Sequence, residues 1–569
     1  MTQTGAPSEA ESAGSGGRPR PIAIARVVVG FVGLILLTLA VFLPGQHSLP
    51  PLDRDEPRFT QATKQMVESG NYVDIRFQDV PRYKKPIGIY WLQAAAVKAT
   101  GFGADAPIWV YRIPSLLGAL AGVLLVFWMA RAFLPAEPAL LTAGVAALTI
   151  LLGVEAHLGK TDAVLFGTIM AAQGALAYIW RAARRGEPVG LALPLIFWLA
   201  LALGVLVKGP IGPMVAALTA LSLAGSERRF AWLKALRPVS GLILLVVVVA
   251  PWFVAIALAS KGAFFTEAVG KDMLGKVGQG QEAHWAPPLT YLVVSLATFW
   301  PLPPFTVAAA PAIWRLRRTE AIRFALCWAV PSWIVFEAVS TKLPHYVLPL
   351  MPAVALATVA ALTTERSGAS LALRIAAAIL MALVPVLLAV ATIVLPFSLG
   401  DYPNPLGAVL VVAGAVAGVF AAIRLGRRRL NDLRAAVPLA ALSALFVLAG
   451  LWAFVLPNLR PVWISPRLVE AARSVAGCPD PTIASVGFNE PSLVFLAGTG
   501  TRLVDPAAAV DILKAGGCVV AAVDRRFEQV FKEETAEEHV PVALKGREGG
   551  ININGGRKLD LGLYVRAAQ

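Results

Sequence analysis

Residues 238–259 read PVSGLILLVVVVAPWFVAIALA, without a charge from end to end. A bilayer core about 30 Å thick needs roughly 20 mostly apolar residues in a helix, so this run predicts a membrane span. Similar runs occupy 22–43, 108–132, 139–154, 163–180, 189–207, 209–225, 289–313, 324–340, 346–363, 374–398, 405–423 and 435–457. The chain therefore reads as a polytopic α-helical membrane protein of about thirteen spans, with 139–154 and 209–225 the shortest. The first run, Ile22 to Leu43, is longer than a signal-peptide core and has no small-residue cleavage site after it, so it reads as an uncleaved span. The Gly/Ser/Pro-rich residues 1–21 before it read as a disordered cytoplasmic tail.

Composition agrees. Hydrophobic residues make up 57% of the 569-residue chain and charged residues 15%, and the mean hydropathy is +0.68. Soluble domains carry about 25% charged residues. This excludes a disordered chain, a coiled coil and a soluble nucleic-acid binder. The net charge of +15 is read as Arg-rich cytoplasmic loops, so no nucleic-acid partner is expected. Arg181, Arg184 and Arg185 fall in one such loop, and Arg228, Arg229, Lys234 and Arg237 in the next of the same parity. Arg315, Arg317, Arg318 and Arg323, then Arg366, then Arg424, Arg427, Arg428, Arg429 and Arg434 continue the series. This places the N-terminus in the cytoplasm. Loops 44–107, 155–162, 260–288, 341–345 and 399–404 then lie on the periplasmic side of the inner membrane.

An odd span count puts residues 458–569 in the periplasm as well. Thr482 to Val486 and Val519 to Val523 read as buried strands, and Arg526 to Glu538 as an amphipathic helix. Gly549 to Gly556 reads as a turn-rich stretch before a last strand, Leu561 to Val565. A small α/β domain is expected. Cys478 and Cys518 lie in it, either bridged or as two free thiols, while Cys327 sits in a span. Three cysteines in this length argue against a zinc site or a disulfide scaffold.

Charges gather at the outer ends of the spans. Asp53, Asp55 and Glu56 precede an amphipathic helix from Phe59 to Glu68. They read either as an N-capping turn or as carboxylates for general-base work at the membrane surface. Arg82, Lys84 and Lys85 precede an aromatic segment with Ile87, Tyr90 and Trp91 that suits an interfacial helix contacting membrane lipids. Headgroup attraction or recognition of a lipid-borne phosphate both fit these cations. His157, Lys160 and Asp162, then Lys208, then Lys342, His345 and Tyr346, mark three short outer turns. Ionisable groups at bilayer depth are costly unless they pair or face a wet cavity, so a functional cavity on the outer face is expected. Loop 260–288 adds Glu267, Lys271, Asp272, Lys276, Gln279, Gln281, Glu282 and His284. His284 has no Cys or His neighbour, which disfavours a metal. No nucleophile elbow or phosphate-binding Gly loop is present.

These motifs resemble those of the GT-C polyprenyl-phosphate-sugar glycosyltransferases. The likeness runs over roughly 22–457 and is nearest to the lipid A aminoarabinose transferases, which are related to the protein O-mannosyltransferases. Asp55-Glu56-Pro57-Arg58-Phe59 resembles the family's acidic loop after the first span. Tyr83-Lys84-Lys85-Pro86 resembles its aromatic-x-Lys-Pro segment, and Lys160-Thr161-Asp162 its second acidic position. Lys208-Gly209-Pro210 and Lys342-Leu343-Pro344-His345-Tyr346 resemble its two Lys-containing turns. Two departures stand out. Lys84 replaces a usual Glu, and Glu267-Ala268-Val269-Gly270-Lys271 replaces a Glu-His-x-x-Arg segment. The residues that would hold a metal are thus a Lys and an Ala, so no metal or other cofactor is expected.

The resemblance implies a monomeric enzyme that moves a sugar, with inversion, from a polyprenyl-phosphate donor to a periplasmic acceptor, lipid A or another envelope glycolipid. It implies Asp55 as base or acceptor-orienting group, with Asp162 and Glu56 assisting. It implies Lys85 as the first partner of the leaving phosphate, with Lys84, Arg58, Tyr83, Lys208, Lys271, Lys342, His345 and Tyr346 around the substrates. A protein or core-oligosaccharide transferase of the same superfamily is the alternative within this class. A secondary transporter is the alternative outside it, although transporters carry midplane charges and internal repeats that this chain lacks.

Overall fold

The computed structural model describes residues 21–53, 55–274, 286–365, 368–427 and 430–567. The tail 1–20, Arg54, Arg366, Arg428, Arg429 and the stretch 275–285 with Lys276, Gln279, Gln281, Glu282 and His284 lie outside the described residues.

The charge-free run forms a helix over Pro238–Ala259, as its apolar length requires. Among the described residues, nine helices are long and apolar enough to cross a membrane. Two bent helix pairs pass the same test when each is taken together, and two 17-residue apolar helices are shorter. In chain order the first ten helices are α1 (Pro21–Phe42), α2 (Asp55–Ser69), α3 (Gly88–Thr100), α4 (Ile108–Arg131) and α5 (Ala136–Ala147), then α6 (Ile150–Ala156), α7 (Asp162–Arg185), α8 (Ala192–Lys208), α9 (Ile211–Glu227) and α10 (Pro238–Ala259). α7 is the central helix, buried on nearly all sides, whereas α10 stands at the edge with most of its side chains outward. α4 reaches α7 closely because Gly118 faces it: a Cβ there would lie 2.8 Å from the Val164 Cα. Small residues permit this backbone approach between membrane helices.

The runs expected at 139–154 and 289–313 are not straight. α5 and α6 meet at 64°, and Thr290–Thr298 meets Leu302–Arg315 at 117°. A broken helix leaves backbone groups without partners, tolerable in a membrane only where protein satisfies them. The two breaks do this for each other, since Ile150 N donates to Trp300 O at 3.2 Å. The α5–α6 break ends with Glu155 and His157 beside the start of α7.

The outer-loop segments named from the charge pattern meet on one face. α2, α3 and a short hairpin, β1 (Arg76–Phe77) with β2 (Val80–Pro81), cover that end of the bundle. Ile87 and Tyr90 are fully buried there, and Trp91 alone of the aromatic segment is exposed. The C-terminal residues lie against the same cover. Asp53 accepts from Ser492 N at 2.9 Å and from Ser492 Oγ at 2.6 Å, and Gln61 donates to Thr499. At the other end of α7, Arg184 and Arg323 pair with Glu227, and Arg181 pairs with Glu320.

The C-terminal sheet has five strands: β3 (Thr482–Val486), β4 (Arg502–Val504), β5 (Val519–Asp524), β6 (Val542–Asn552) and β7 (Arg557–Arg566). Their order is β4-β3-β5-β7-β6, with β3 parallel to β4 and β5, and the last pairs antiparallel. Helices cover both faces, among them Glu528–Glu537, where the amphipathic segment was expected. Gly549 to Asn552 belong to edge strand β6 rather than to a turn. Glycine weakens a strand but is accommodated where another backbone comes close, and a Cβ on Gly550 would meet Pro461 O at 2.5 Å. Cys478 and Cys518 form a disulfide, with Cα atoms 6.3 Å apart.

Candidate active site

Four loops converge where α7 begins. Asp162 is the first residue of α7, so its carboxylate sits at the positive end of the helix. Lys208 is the last residue of α8, and its ammonium pairs with Asp162. Lys160 lies between Glu155 and Asp162, at 3.0 and 3.6 Å. His345, on the 3-10 turn Pro344–Leu350, bridges the same carboxylates. Its Nε2 is 3.9 Å from Asp162 and its Nδ1 is 4.0 Å from Glu155. Tyr346 offers its ring to Lys208 at 5.2 Å.

Burial alone would lower the Lys160 ammonium, but the carboxylates of Glu155, Asp162 and Asp55 outweigh it and hold the group charged, above its ordinary value. Asp55 opens α2 and is exposed. Glu155 Oε2 is buried and accepts no hydrogen bond among the described residues.

This cluster forms the mouth of a cavity of about 1260 Å³. Lys84, Lys85, Asp162, Lys208, His345 and Tyr346 line the mouth, and beyond it the wall is almost wholly apolar, with Leu201, Val205, Ala217, Leu221 and Leu242. The cavity follows α8 from Lys208 back to Phe197, a run of about 16 Å at 1.5 Å per residue. A cationic mouth over a long apolar groove suits an amphiphile with an anionic head and an apolar tail. The cations neutralise the head, and the groove replaces water around the tail.

Other residues singled out from sequence have different partners. Glu56 is buried, and Arg112 donates to both its oxygens, at 2.7 and 2.8 Å. Leu52 N and Gly159 N donate to them as well. Arg112 also donates to the carbonyls of Gln46, Leu49 and Pro50. The pair therefore ties the first outer loop to α4 and to the turn before α7. Lys342 donates to the carbonyls of Glu337 and Val339 and so caps the end of the helix Glu320–Ala338. Tyr83 is buried and donates to Asp74 at 2.7 Å, and burial first, then Asp74, push its hydroxyl up to about 12. Lys271 pairs with Glu267 one turn away, and Arg58 is half-buried on α2. None of these five lines the cavity. Ala268 does. Among the described residues no group of three or more His, Cys, Asp and Glu side chains is arranged to hold a metal ion.

Sequence reasoning overlooked Arg112 and Glu155. Each is an ionisable residue inside an apolar run, a pattern that signals a buried partner.

Residues 84–254 match the family described as dolichyl-phosphate-mannose-protein mannosyltransferase. A crystal structure of ArnT from Cupriavidus metallidurans bound to undecaprenyl phosphate superposes with a TM-score of 0.70 at 19% identity, covering 95% of this chain and 98% of that one. The chain has the GT-C fold. An archaeal oligosaccharyltransferase from Archaeoglobus fulgidus shares this GT-C architecture more distantly, with a TM-score of 0.51 at 12% identity over 96% of this chain and 74% of that one. In sequence, the chain is similar to the undecaprenyl phosphate-α-4-amino-4-deoxy-L-arabinose arabinosyl transferase of Erwinia tasmaniensis, 27% identical over 52% of each chain. The enzyme of the same description numbered 2 in Pseudomonas fluorescens is 25% identical over 56% of this chain and 57% of its own. The chain spans about half the length of the curated relatives it matches.

Proposed function

We propose that this GT-C protein is a membrane glycosyltransferase that moves a sugar from a polyprenyl-phosphate donor to an envelope glycolipid such as lipid A. The observation that carries the reading is the cavity, whose cations stand at one end of an apolar groove. The donor's isoprenoid tail lies along α8, and its phosphate sits at Lys85 and Lys208 with Lys84 beside them. The likeness to transferases named for undecaprenyl-phosphate-linked aminoarabinose supports this donor class. We take the mouth, α2 and the C-terminal sheet to be periplasmic, because the Arg-rich loops lie at the opposite end of α7.

A glycosidic bond to phosphate is already activated. The protein must stabilise the leaving phosphate and orient or deprotonate the acceptor. Lys208 and Lys85 meet the charge that grows on the phosphate oxygen as the anomeric bond breaks. Asp55, exposed at the start of α2, takes the acceptor proton. Asp162 holds Lys208 and Lys160 in place, which makes it a positioning residue in this scheme. Glu56 acts only through the loop that it anchors. Attack from the face opposite the phosphate inverts the anomeric centre. Lys84 and Ala268, where relatives of the resembling branch have Glu and His, leave the reaction to these side chains without a metal.

The test is transfer from a purified polyprenyl-phosphate sugar to lipid A in detergent, read as release of polyprenyl phosphate. Transfer that survives EDTA is the expected result. Solute uptake in proteoliposomes with no transfer would point to a transporter instead. Transfer to a secreted protein and not to lipid A would favour the alternative acceptor class.

A further inference from the structure

Asp55, the proposed base, stands between two anchors of different origin. One residue after it, Glu56 is clamped by Arg112 of α4 and by the amides of Leu52 and Gly159. Two residues before it, Asp53 accepts from Ser492 N at 2.9 Å and from Ser492 Oγ at 2.6 Å. The first anchor belongs to the bundle and the second to the C-terminal residues. Consecutive Cα atoms are about 3.8 Å apart, so the backbone of Asp55 stays within about 8 Å of the Asp53 anchor. The Asp55 side chain is exposed. The anchors on either side, rather than packing around its own carboxylate, therefore set where it stands.

The C-terminal anchor is rooted in a core of its own. Ser492 Oγ also lies 2.6 Å from Ser465 Oγ, and both hydroxyls are buried. Ser465 belongs to the helix Ile464–Ala476, whose Ile464, Leu468 and Ala472 pack into the core on one face of the C-terminal sheet. Buried hydroxyls cost free energy unless they are bonded, and here the bonds run in a row from that core to the acidic loop. Further along, Gln61 donates to Thr499 Oγ1 at 2.8 Å, Thr499 donates to Glu68 at 2.9 Å, and Gln78 donates to the Thr499 carbonyl at 3.2 Å. Phe495 meets the Tyr111 ring edge-on at 5.4 Å. The C-terminal residues thus bracket α2 from just before its start to near its end. None of these residues lines the donor cavity.

We infer that Ser492 is a positioning residue for the transfer reaction: through Asp53 it sets where the Asp55 carboxylate meets the acceptor, so the C-terminal sheet completes the active site. The inference rests on the proposed role of Asp55. A base must come within about 2.6–3.2 Å of the atom whose proton it takes, so a shift of about 1 Å in the loop is felt in turnover. Donor binding, at the other side of the mouth, does not depend on it.

The test uses the full chain in detergent, with a polyprenyl-phosphate sugar as donor and lipid A as acceptor. Bound polyprenyl phosphate counts the competent sites, and kcat is expressed per site. Ser492→Ala removes the hydroxyl and leaves the backbone amide at 492. It should lower kcat about 10- to 100-fold, the scale of a misplacement of about 1 Å, with the donor KM and the polyprenyl phosphate affinity unchanged. Asp53→Ala should do the same, and adding Ser492→Ala to it should cost little more, since both changes break one contact. Arg502→Ala, which cuts a surface contact between the same sheet and Asp79, should leave kcat at the wild-type level. Hydrogen exchange over 50–60 should quicken in Ser492→Ala and not in Arg502→Ala. Wild-type kcat in Ser492→Ala, beside an inactive Asp55→Asn, would overturn the inference and keep the reading of Asp55. An equal loss of kcat in Arg502→Ala would overturn it as well, because any loosening of the sheet would then suffice. Unchanged exchange over 50–60 in Ser492→Ala would overturn it without any assay of transfer. A wild type that transfers nothing, with quickened exchange in Ser492→Ala, would instead sink the proposed reaction and keep the tether.

Discussion

Two carboxylate–cation assemblies lie under the same face of the bundle, and they are built to opposite ends. In the Glu56–Arg112 pair, Arg112 and the amides of Leu52 and Gly159 supply donors to both carboxylate oxygens, and three carbonyls receive the rest of the guanidinium. In the cluster around Asp162, two lysines and a histidine share two carboxylates, Glu155 keeps an oxygen that no described residue bonds, and one side opens on a large cavity. A closed network fixes a shape. An open one, with more cations than its own backbone needs, is placed to meet something that arrives. Sequence treats them alike, since both are acids near basic residues at the ends of spans.

The largest effect should come from breaking the closed pair. Arg112→Ala leaves Glu56 buried without its charge partner, a change worth about 3–5 kcal/mol. A steep fall in folded yield and melting temperature is expected, and normal melting would show that the pair is not the anchor. The sharper contrast is Asp55→Asn. It should lower turnover about 10²–10⁴-fold, the usual scale for acid–base catalysis, at unchanged melting temperature because Asp55 is exposed. Near-normal turnover would hand its role to Asp162, the carboxylate that lines the mouth.

A smaller effect concerns Asp53, just before Glu56 in the chain. Burial first, offset by its bonds to Ser492, and the nearby charges of Glu490 and Glu56 raise it from 3.8 to about 7. The folded state therefore holds this proton more tightly than the unfolded chain. The resulting stability is full below about pH 4 and is lost as the pH rises through about 7. Melting curves of the wild type between those limits should show this decline, and Asp53→Asn should flatten it. An identical pH dependence in both proteins would mean that Asp53 does not tie the C-terminal sheet to the bundle.

Much of this was legible in the sequence, for identifiable reasons. Membrane spans declare themselves by length alone, and short loops between them leave Lys160, Asp162, Lys208 and His345 few places to go. The bends at 148–149 and 299–301 were not legible, because an apolar run reads the same straight or broken and the partner of Ile150 N is Trp300, far along the chain. The use of Lys342 was hidden for a local reason, since a lysine just past a helix end serves its carbonyls as readily as a ligand. Gly549 and Gly550 looked like a turn because glycine in an edge strand and glycine in a turn have the same letter. Glu56 and Arg112 could be paired only by knowing the fold, because 56 residues separate them.

The most direct test of the contrast is the affinity for polyprenyl phosphate of Lys208→Ala beside Glu56→Gln, measured on folded protein with melting temperatures from the same preparations. Loss of a charge-assisted contact of about 1.5–3 kcal/mol predicts that Lys208→Ala binds roughly 10- to 100-fold more weakly while melting close to wild type. Glu56→Gln should melt lower and bind normally once folded. The reverse pattern, with Glu56→Gln losing affinity and Lys208→Ala keeping it, would contradict the division between the closed pair and the open cluster.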